Sequence, residues 1–166
     1  MKIDHELKGL TKSFHVAFRG IRSCILSERN MRIHLVIAFF TILLSMFYNF
    51  SRQEYIVLVI TIAAVIACEM LNTALEAIVD IVSPSYSKMA QLAKDVAAGA
   101  VLITALAAAA VGLFLFWDLT KFHEIFVFFF SYPLFILPLA VLAIFGLLFI
   151  FKGTSLPGKN KFKGKN

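Results

Sequence analysis

Three uncharged stretches constrain the fold more than any other feature of the sequence. Residues 33–50 contain His34 as their one side chain that titrates near neutral pH, residues 96–117 carry no charge, and residues 125–151 are twenty-seven uncharged positions. A membrane-spanning helix needs about 20 apolar residues, because the hydrocarbon core is about 30 Å thick and a helix rises about 1.5 Å per residue. Each stretch is therefore predicted to cross a membrane.

A fourth stretch, residues 55–82, is apolar in its first half and carries acidic residues in its second. With 60% hydrophobic and 16% charged residues, the chain is predicted to be an all-α integral membrane protein. The predicted organisation is a core over residues 1–118 and an addition over residues 119–166. The core comprises a surface helix at about 5–28 and spans at about 33–50, 55–82 and 96–117; the addition comprises a tilted, kinked span at about 125–151 and a basic, disordered tail.

The first predicted helix is amphipathic. Its apolar residues recur every three or four positions and form one stripe, as in a helix that lies on a membrane surface. The basic residues lie off that stripe, where they can meet anionic headgroups. The apolar set is Leu7, Leu10, Phe14, Phe18, Ile21 and Ile25, and the basic set is Lys8, Lys12 and Arg19.

The net charge of +6 comes from basic residues placed beside the predicted spans, so we do not interpret it as a nucleic-acid signal. Fourteen of the sixteen Lys and Arg lie before the first span, between the second and third, or after the fourth. Only Arg52 and Lys121 fall in the other two loops. The positive-inside rule then predicts that both termini and the loop at 81–95 are cytoplasmic.

Four polar residues in the second half of the second span predict a functional site. Glu69, Asn72, Glu76 and Asp80 fall within an arc of about 80° on a helix, and so share one face. Carboxylates so aligned repel one another unless a cation, a basic partner or protonation intervenes. Ionisable residues inside a membrane are costly and usually functional, although one acid paired with a lysine, or one Asn used for packing, would be structural.

The chemistry of this face fits phosphoryl transfer. Mg²⁺ prefers oxygen ligands, often one or two carboxylates together with substrate phosphates. Lys94 and Glu28 are expected at the same level of the membrane. A metal and a lysine can neutralise phosphate while a carboxylate accepts a hydroxyl proton. A proton or cation pathway built from the same acids is the alternative from another functional class.

Two segments closely resemble the signature of the prokaryotic diacylglycerol kinase / undecaprenol kinase family. They are Glu69-Met-Leu-Asn72-Thr-Ala-Leu-Glu76-Ala-Ile-Val-Asp80 and Ala93-Lys94-Asp95-Val-Ala-Ala-Gly-Ala-Val101. The stretch from Ala17 to Arg22, followed by Glu28, is also similar to the family. The resemblance covers roughly residues 5–118, so the last span and the tail lie outside it. It departs from the diacylglycerol kinases at Gly9, where they carry a basic residue.

The resemblance implies a homotrimeric lipid kinase of the bacterial plasma membrane, with active sites shared between subunits and ATP and Mg²⁺ as requirements. It also implies a role for each site residue. From the matching positions of the family, Glu69 would be the general base, and Glu28 and Glu76 would hold the metal. Lys94 would contact the phosphates, with Asp95 beside it, and the turn formed by Ser85, Tyr86 and Ser87 would lie near the nucleotide. Asn72 and Asp80 would support the site.

The lipid substrate follows from a shorter stretch. Glu28-Arg-Asn-Met-Arg32-Ile-His34 resembles the undecaprenol kinase branch of Gram-positive bacteria. We therefore expect undecaprenol as the acceptor, with diacylglycerol as the alternative, since both present a primary hydroxyl at the interface.

Overall fold

The structure, a computed structural model, describes residues 2–83, 85 and 87–152 and is helical with no strand in those ranges. The helices are α1 (Lys2–Ser27), α2 (Arg29–Ser45), α3 (Arg52–Val82), α4 (Lys88–Phe116), α5 (Leu119–Ser131) and α6 (Ile136–Phe151), with one 3₁₀ turn at Pro133–Phe135. The predicted all-α membrane fold is confirmed. The predicted disordered tail lies outside the described residues, apart from Lys152.

Three described helical segments are long and apolar enough to cross a membrane: Arg52–Val82, Lys88–Phe116 and Pro133–Phe151. The span predicted over residues 33–50 is instead α2, a helix of 17 residues, about 26 Å long at about 1.5 Å per residue. It ends at Ser45, whose hydroxyl bonds Ile42 O at 2.7 Å, and a tight turn follows. The prediction of four full-length spans is therefore not confirmed for this helix.

Two helices begin earlier than predicted because serine residues cap them. Ser51 and Glu54 form a capping box, in which the Ser51 hydroxyl accepts from Glu54 N and the Glu54 carboxylate accepts from Ser51 N, so α3 starts at Arg52. Ser87 accepts from Ala90 N and starts α4 at Lys88, eight positions before the predicted span. Polar residues predicted to precede the third span thus lie inside a regular helix.

The prediction of one kinked helix over residues 125–151 is wrong. Helix α5 ends at Ser131, Tyr132 has a non-helical backbone, and a 3₁₀ turn begins at Pro133. Proline lacks the amide that would continue α5 and disfavours helical backbone in the residue before it. Pro138 does not interrupt α6, because it lies in the first turn of that helix, where a backbone amide has no helical hydrogen-bond partner.

The bundle is built on the antiparallel pair α3–α4, with α2 packed on α3 and α6 packed on α2. An aromatic cluster closes one end, which we call the aromatic end. There the Tyr48 hydroxyl is buried and donates to Phe116 O at 3.0 Å, and Leu58 completes the buried core. Most apolar side chains elsewhere are exposed, as expected for surfaces that face lipid or other subunits.

Candidate functional site

The polar face of α3 lies at the end of the bundle opposite the aromatic end, which we call the site end. Glu69 is 1% exposed, Asn72 and Glu76 are half-buried, and Asp80 is exposed. Asn72 Nδ2 donates to Glu76 Oε1 at 3.1 Å. Because α3 is regular throughout, it places the four side chains in a row that runs from the bundle interior to the surface.

Glu69 meets a polar side chain of a neighbouring helix. His34 Nε2, on α2, lies 3.2 Å from Glu69 Oε1. That distance is an ion-pair distance, although Oε1 has no hydrogen-bond partner in the described part of the chain. A buried carboxylate oxygen without a donor has unused capacity to accept a hydrogen bond or a proton.

A second contact ties α1 to the same turn of α3. The Thr73 hydroxyl donates to Glu69 O at 2.9 Å, and Cys24 Sγ lies 3.2 Å from that hydroxyl. Burial raises the pKa of the Cys24 thiol, and the negative charges of Glu28 and Glu69 raise it further, whereas the contact with Thr73 opposes the shift. Cys24 therefore belongs to the site end, in a setting that keeps the thiol protonated and inert.

Glu28 forms the elbow between α1 and α2. It is the one extended residue between them, with φ −109° and ψ 122°, and it is the N-cap position of α2. Its amide still bonds Cys24 O at 2.9 Å, so the chain turns sharply within a single residue. This turn keeps Glu28 beside the last turn of α1, close enough to Cys24 for its negative charge to raise the pKa of that thiol.

Lys94 and Asp95 lie about two turns inside α4, which begins at Lys88. The Lys94 ammonium pairs with the Asp80 carboxylate and thereby joins α4 to α3, while Gln91 Nε2 donates to Asp95 Oδ1 at 3.0 Å. Both partners of the Lys94–Asp80 pair remain partly exposed. The pair brings a positive charge to the open end of the polar face without covering Glu69 or Glu76.

The turn between α3 and α4 is described only in part. Ser83 Oγ donates to Ser85 O at 3.1 Å, and the Ser87 hydroxyl is engaged in capping α4. Tyr86 lies outside the described residues. The structure therefore places the predicted nucleotide turn at the site end through Ser85 and Ser87 alone.

The residues at the site end provide oxygen atoms of the kind that bind a magnesium ion. Within the described ranges, no three His, Cys, Asp or Glu side chains are grouped so as to hold a metal by themselves. The buried Asn72 Oδ1 has no hydrogen-bond partner there, and Glu28 and Glu76 supply carboxylates. Mg²⁺ commonly takes one or two carboxylates and completes its shell with water and substrate phosphates, so a complete protein cage is not required.

An apolar groove of about 360 Å³ runs between α2, α3 and α4 from the site end towards the aromatic end. His34 is the one titratable residue in its wall, and small residues of α4 leave the space open. The groove is apolar along its length, and His34 lies at its polar end. Lining residues from the site end to the aromatic end include His34, Ala38, Thr41, Val65, Ala105 and Phe116.

His34 is the residue that sequence reasoning did not place in the site. Its signal was present, because it is the one side chain in an otherwise uncharged stretch that titrates near neutral pH. Its pairing with Glu69 depends on how α2 and α3 are aligned, which the spacing within either helix does not reveal.

The family described as prokaryotic diacylglycerol kinase matches residues 15–116. A diacylglycerol kinase of Synechocystis is 40% identical over 104 residues, which are 62% of this chain and 59% of that protein, so the match spans less than two thirds of that relative. The undecaprenol kinase of Bacillus subtilis is 35% identical over 68% of this chain and 94% of its own length. The diacylglycerol kinase of Escherichia coli K12 is 25% identical over 66% of this chain and 89% of its own length. No solved structure gives a significant match.

Proposed function

This chain belongs to the prokaryotic diacylglycerol kinase family, and from that membership we propose that it transfers the γ-phosphate of ATP to the hydroxyl of a membrane lipid. One observation carries the proposal beyond the family name. The buried Glu69 carboxylate lies beside His34, which lines an apolar groove, and on the same helix face as Asn72, Glu76 and Asp80. A lipid hydroxyl and a nucleotide phosphate can meet where such a groove adjoins a polar face.

Glu69 is proposed as the general base. Its Oε1 has no hydrogen bond from the described residues, so it can accept the proton of a lipid hydroxyl that reaches it along the groove. Burial excludes water, which would otherwise compete as the phosphate acceptor. His34 would hold the carboxylate in place through Nε2, 3.2 Å away.

The charge of the nucleotide would be met by the outer part of the polar face. Glu28 and Glu76, supported by Asn72, would hold Mg²⁺, which when bound to ATP neutralises phosphate charge. Lys94 would contact the phosphates and be oriented by Asp80, its ion-pair partner. Asp95 lies beside Lys94, and the turn with Ser85, Tyr86 and Ser87 would lie near the nucleotide.

We propose undecaprenol as the lipid, with diacylglycerol as the alternative. Support for undecaprenol comes from the stretch between Glu28 and His34 and from a relative named undecaprenol kinase that is matched over 94% of its length. Support for diacylglycerol comes from the names of the other relatives. Both lipids present a primary hydroxyl next to long apolar chains, and both suit the groove.

The surroundings of the enzyme are also part of the proposal. The site end is placed at the cytoplasmic face of a bacterial plasma membrane, with both termini cytoplasmic, because the basic residues concentrate there. A homotrimer is proposed from the family resemblance. The exposed apolar surfaces of α3 and α4, of which α4 is rich in small residues that permit close helix packing, are available for subunit contacts.

Phosphate transfer from labelled ATP tests the proposal directly. The purified chain would be assayed in mixed micelles with undecaprenol or diacylglycerol, with and without Mg²⁺. We expect Mg²⁺-dependent transfer to one of the two lipids, which identifies the substrate as well. Folded protein that phosphorylates neither lipid would contradict the proposal, and ion flux across liposomes would then test the conductor alternative.

A further inference from the structure

Helix α6 lies beyond the matched residues 15–116, yet it packs closely on α2. Gly146, its one buried residue, makes this approach possible. A Cβ added there would come 3.1 Å from Val36 Cγ1 and 3.6 Å from Phe40 Cε2, so even a methyl group requires Val36 to shift, and a larger side chain requires a larger rearrangement between the helices. The close contact between α6 and α2 therefore depends on a glycine at position 146, and the apolar character of the two helices alone does not explain it.

Arg32 joins the C-terminal ends of two helices. Its side chain is buried, with the residue 6% exposed. Nη1 donates to Ile25 O at 2.9 Å and to Leu26 O at 3.1 Å in the last turn of α1, and Nε donates to Ile150 O at 3.2 Å in the last turn of α6. Carbonyls there have no helical partners and form the negative ends of the helix dipoles, so one guanidinium satisfies both.

A second arginine strengthens the same junction. The Arg29 guanidinium lies 4.9 Å from the centre of the Phe151 ring, a cation–π distance. Arg29 and Arg32 flank the first turn of α2, directly after Glu28. The end of α6 is thus fixed to the elbow that carries Glu28.

From these contacts we propose that α6 is a positioning element of the site, which acts through Arg32 to hold the α1–α2 elbow against α3. The elbow brings Cys24 to Thr73, and Thr73 bonds Glu69 O. Release of α6 would free one of the three hydrogen bonds of Arg32, loosen α1 and displace Glu28 from the polar face. The consequence for catalysis, weaker binding of Mg-ATP, rests on the function proposed above.

Cys24 gives a readout of the elbow that does not depend on kinase activity. It is 4% exposed, and the chain has one other cysteine, Cys68. In the full-length protein with Cys68→Ala, a maleimide would report how often Cys24 becomes accessible. We compare Gly146→Leu, which forces α6 from α2, with Ala140→Leu, the same type of enlargement at an exposed position of α6.

We expect Gly146→Leu to accelerate labelling of Cys24 by about tenfold, equivalent to about 1.4 kcal/mol, and Ala140→Leu to leave the rate unchanged. Arg32→Lys, which keeps the charge but cannot bond three carbonyls in the same fork geometry, should also accelerate it. If Gly146→Leu fails to fold, Gly146→Ala places a smaller side chain at the same contact. Labelling rates equal to that of the parent in all folded variants would overturn the proposal and leave α6 as a passive anchor.

Kinetics separate positioning from a general loss of folded protein. In Gly146→Leu we expect the KM for Mg-ATP to rise by about threefold to tenfold while the KM for lipid stays unchanged, since Glu28 belongs to the nucleotide side of the site. A lower kcat with both KM values unchanged would indicate only a smaller folded fraction and would contradict the positioning role. A parent protein without kinase activity would refute the proposed function, while the labelling result would still decide the role of α6.

Discussion

His34 Nε2 lies 3.2 Å from Glu69 Oε1, and this contact joins α2 to α3 at the point where the apolar groove reaches the polar face. Neither residue has a strongly exposed side chain, at 20% and 2%. The contact with His34 therefore helps to fix the position of the Glu69 carboxylate, the proposed base.

Glu69→Gln should lower kcat by at least about a hundredfold, because an amide cannot accept the hydroxyl proton. Steady-state kinetics at saturating lipid and Mg-ATP measure the change. Glu54→Gln is the matched control: it lies on the same helix, in the capping box at the aromatic end, and should keep the parent kcat. A Glu69→Gln rate close to that of the parent would exclude Glu69 as the base.

His34→Ala should lower kcat by about tenfold or more, because Glu69 would lose the side chain that fixes its position at 3.2 Å and a misplaced base is costly. His34→Gln keeps an N–H donor near Glu69 and should retain more activity than His34→Ala. Equal loss in both variants would indicate that His34 only fills space in the groove wall.

Lys94→Gln should raise the KM for ATP by about tenfold, since it removes a positive charge from the proposed phosphate contact. Asp80→Asn also breaks the Lys94–Asp80 pair, but it leaves the Lys94 charge in place. Its KM for ATP should therefore change by less than that of Lys94→Gln. The pair is partly exposed, so neither variant should lower the free energy of unfolding by more than about 1 kcal/mol. Equal KM values in both variants would favour a purely structural pair.

Glu76→Gln should increase the Mg²⁺ concentration required for half-maximal activity at fixed ATP, because an amide is a weaker ligand than a carboxylate. A magnesium titration of this variant and of Glu28→Gln measures the shift. Unchanged magnesium dependence in both would argue against metal binding by these residues.

Tyr48→Phe tests the aromatic end independently of catalysis. Phe116 O would lose its 3.0 Å hydrogen bond from the Tyr48 hydroxyl but keep the one from Asp118 N at 2.9 Å. The free energy of unfolding should therefore fall by about 0.5 to 1.5 kcal/mol, the net contribution of one hydrogen bond. Thermal unfolding in detergent measures this loss, and kcat should not change in the folded protein. A variant as stable as the parent would show that water or a detergent group replaces the bond.

Much of the fold could be predicted because local signals determine it. Apolar length predicted helical spans, and the spacing from Glu69 to Asp80 predicted one polar face. The start of α4 was missed because the apolar stretch begins at Val96, whereas the cap at Ser87 lies beyond its edge. The break at Pro133 was read as a kink, although the residue before a proline rarely stays helical.

The contacts between helices could not be predicted from spacing. Arg32 bonds Ile150 O across 118 positions of the chain, and His34 meets Glu69 across two helices. Such pairs depend on how far each helix slides along its neighbour, and the apolar surfaces of membrane helices permit many such positions. Polar residues select one of them, which is why these two contacts were found only in the structure.

Helix α5 has a consequence for reach. Its 13 residues extend about 20 Å, which is about two helix-to-helix spacings of 8–10 Å. Along α5, the rings of Phe128 and Phe129 contact the ring of Phe47, which lies near the end of α2. The chain can therefore leave α4 and return beside α2 without passing through the bundle. If α5 were two turns shorter, the last helix would be confined to the side of α4. The length of α5, more than the chemistry of α6, therefore determines which helix α6 can contact.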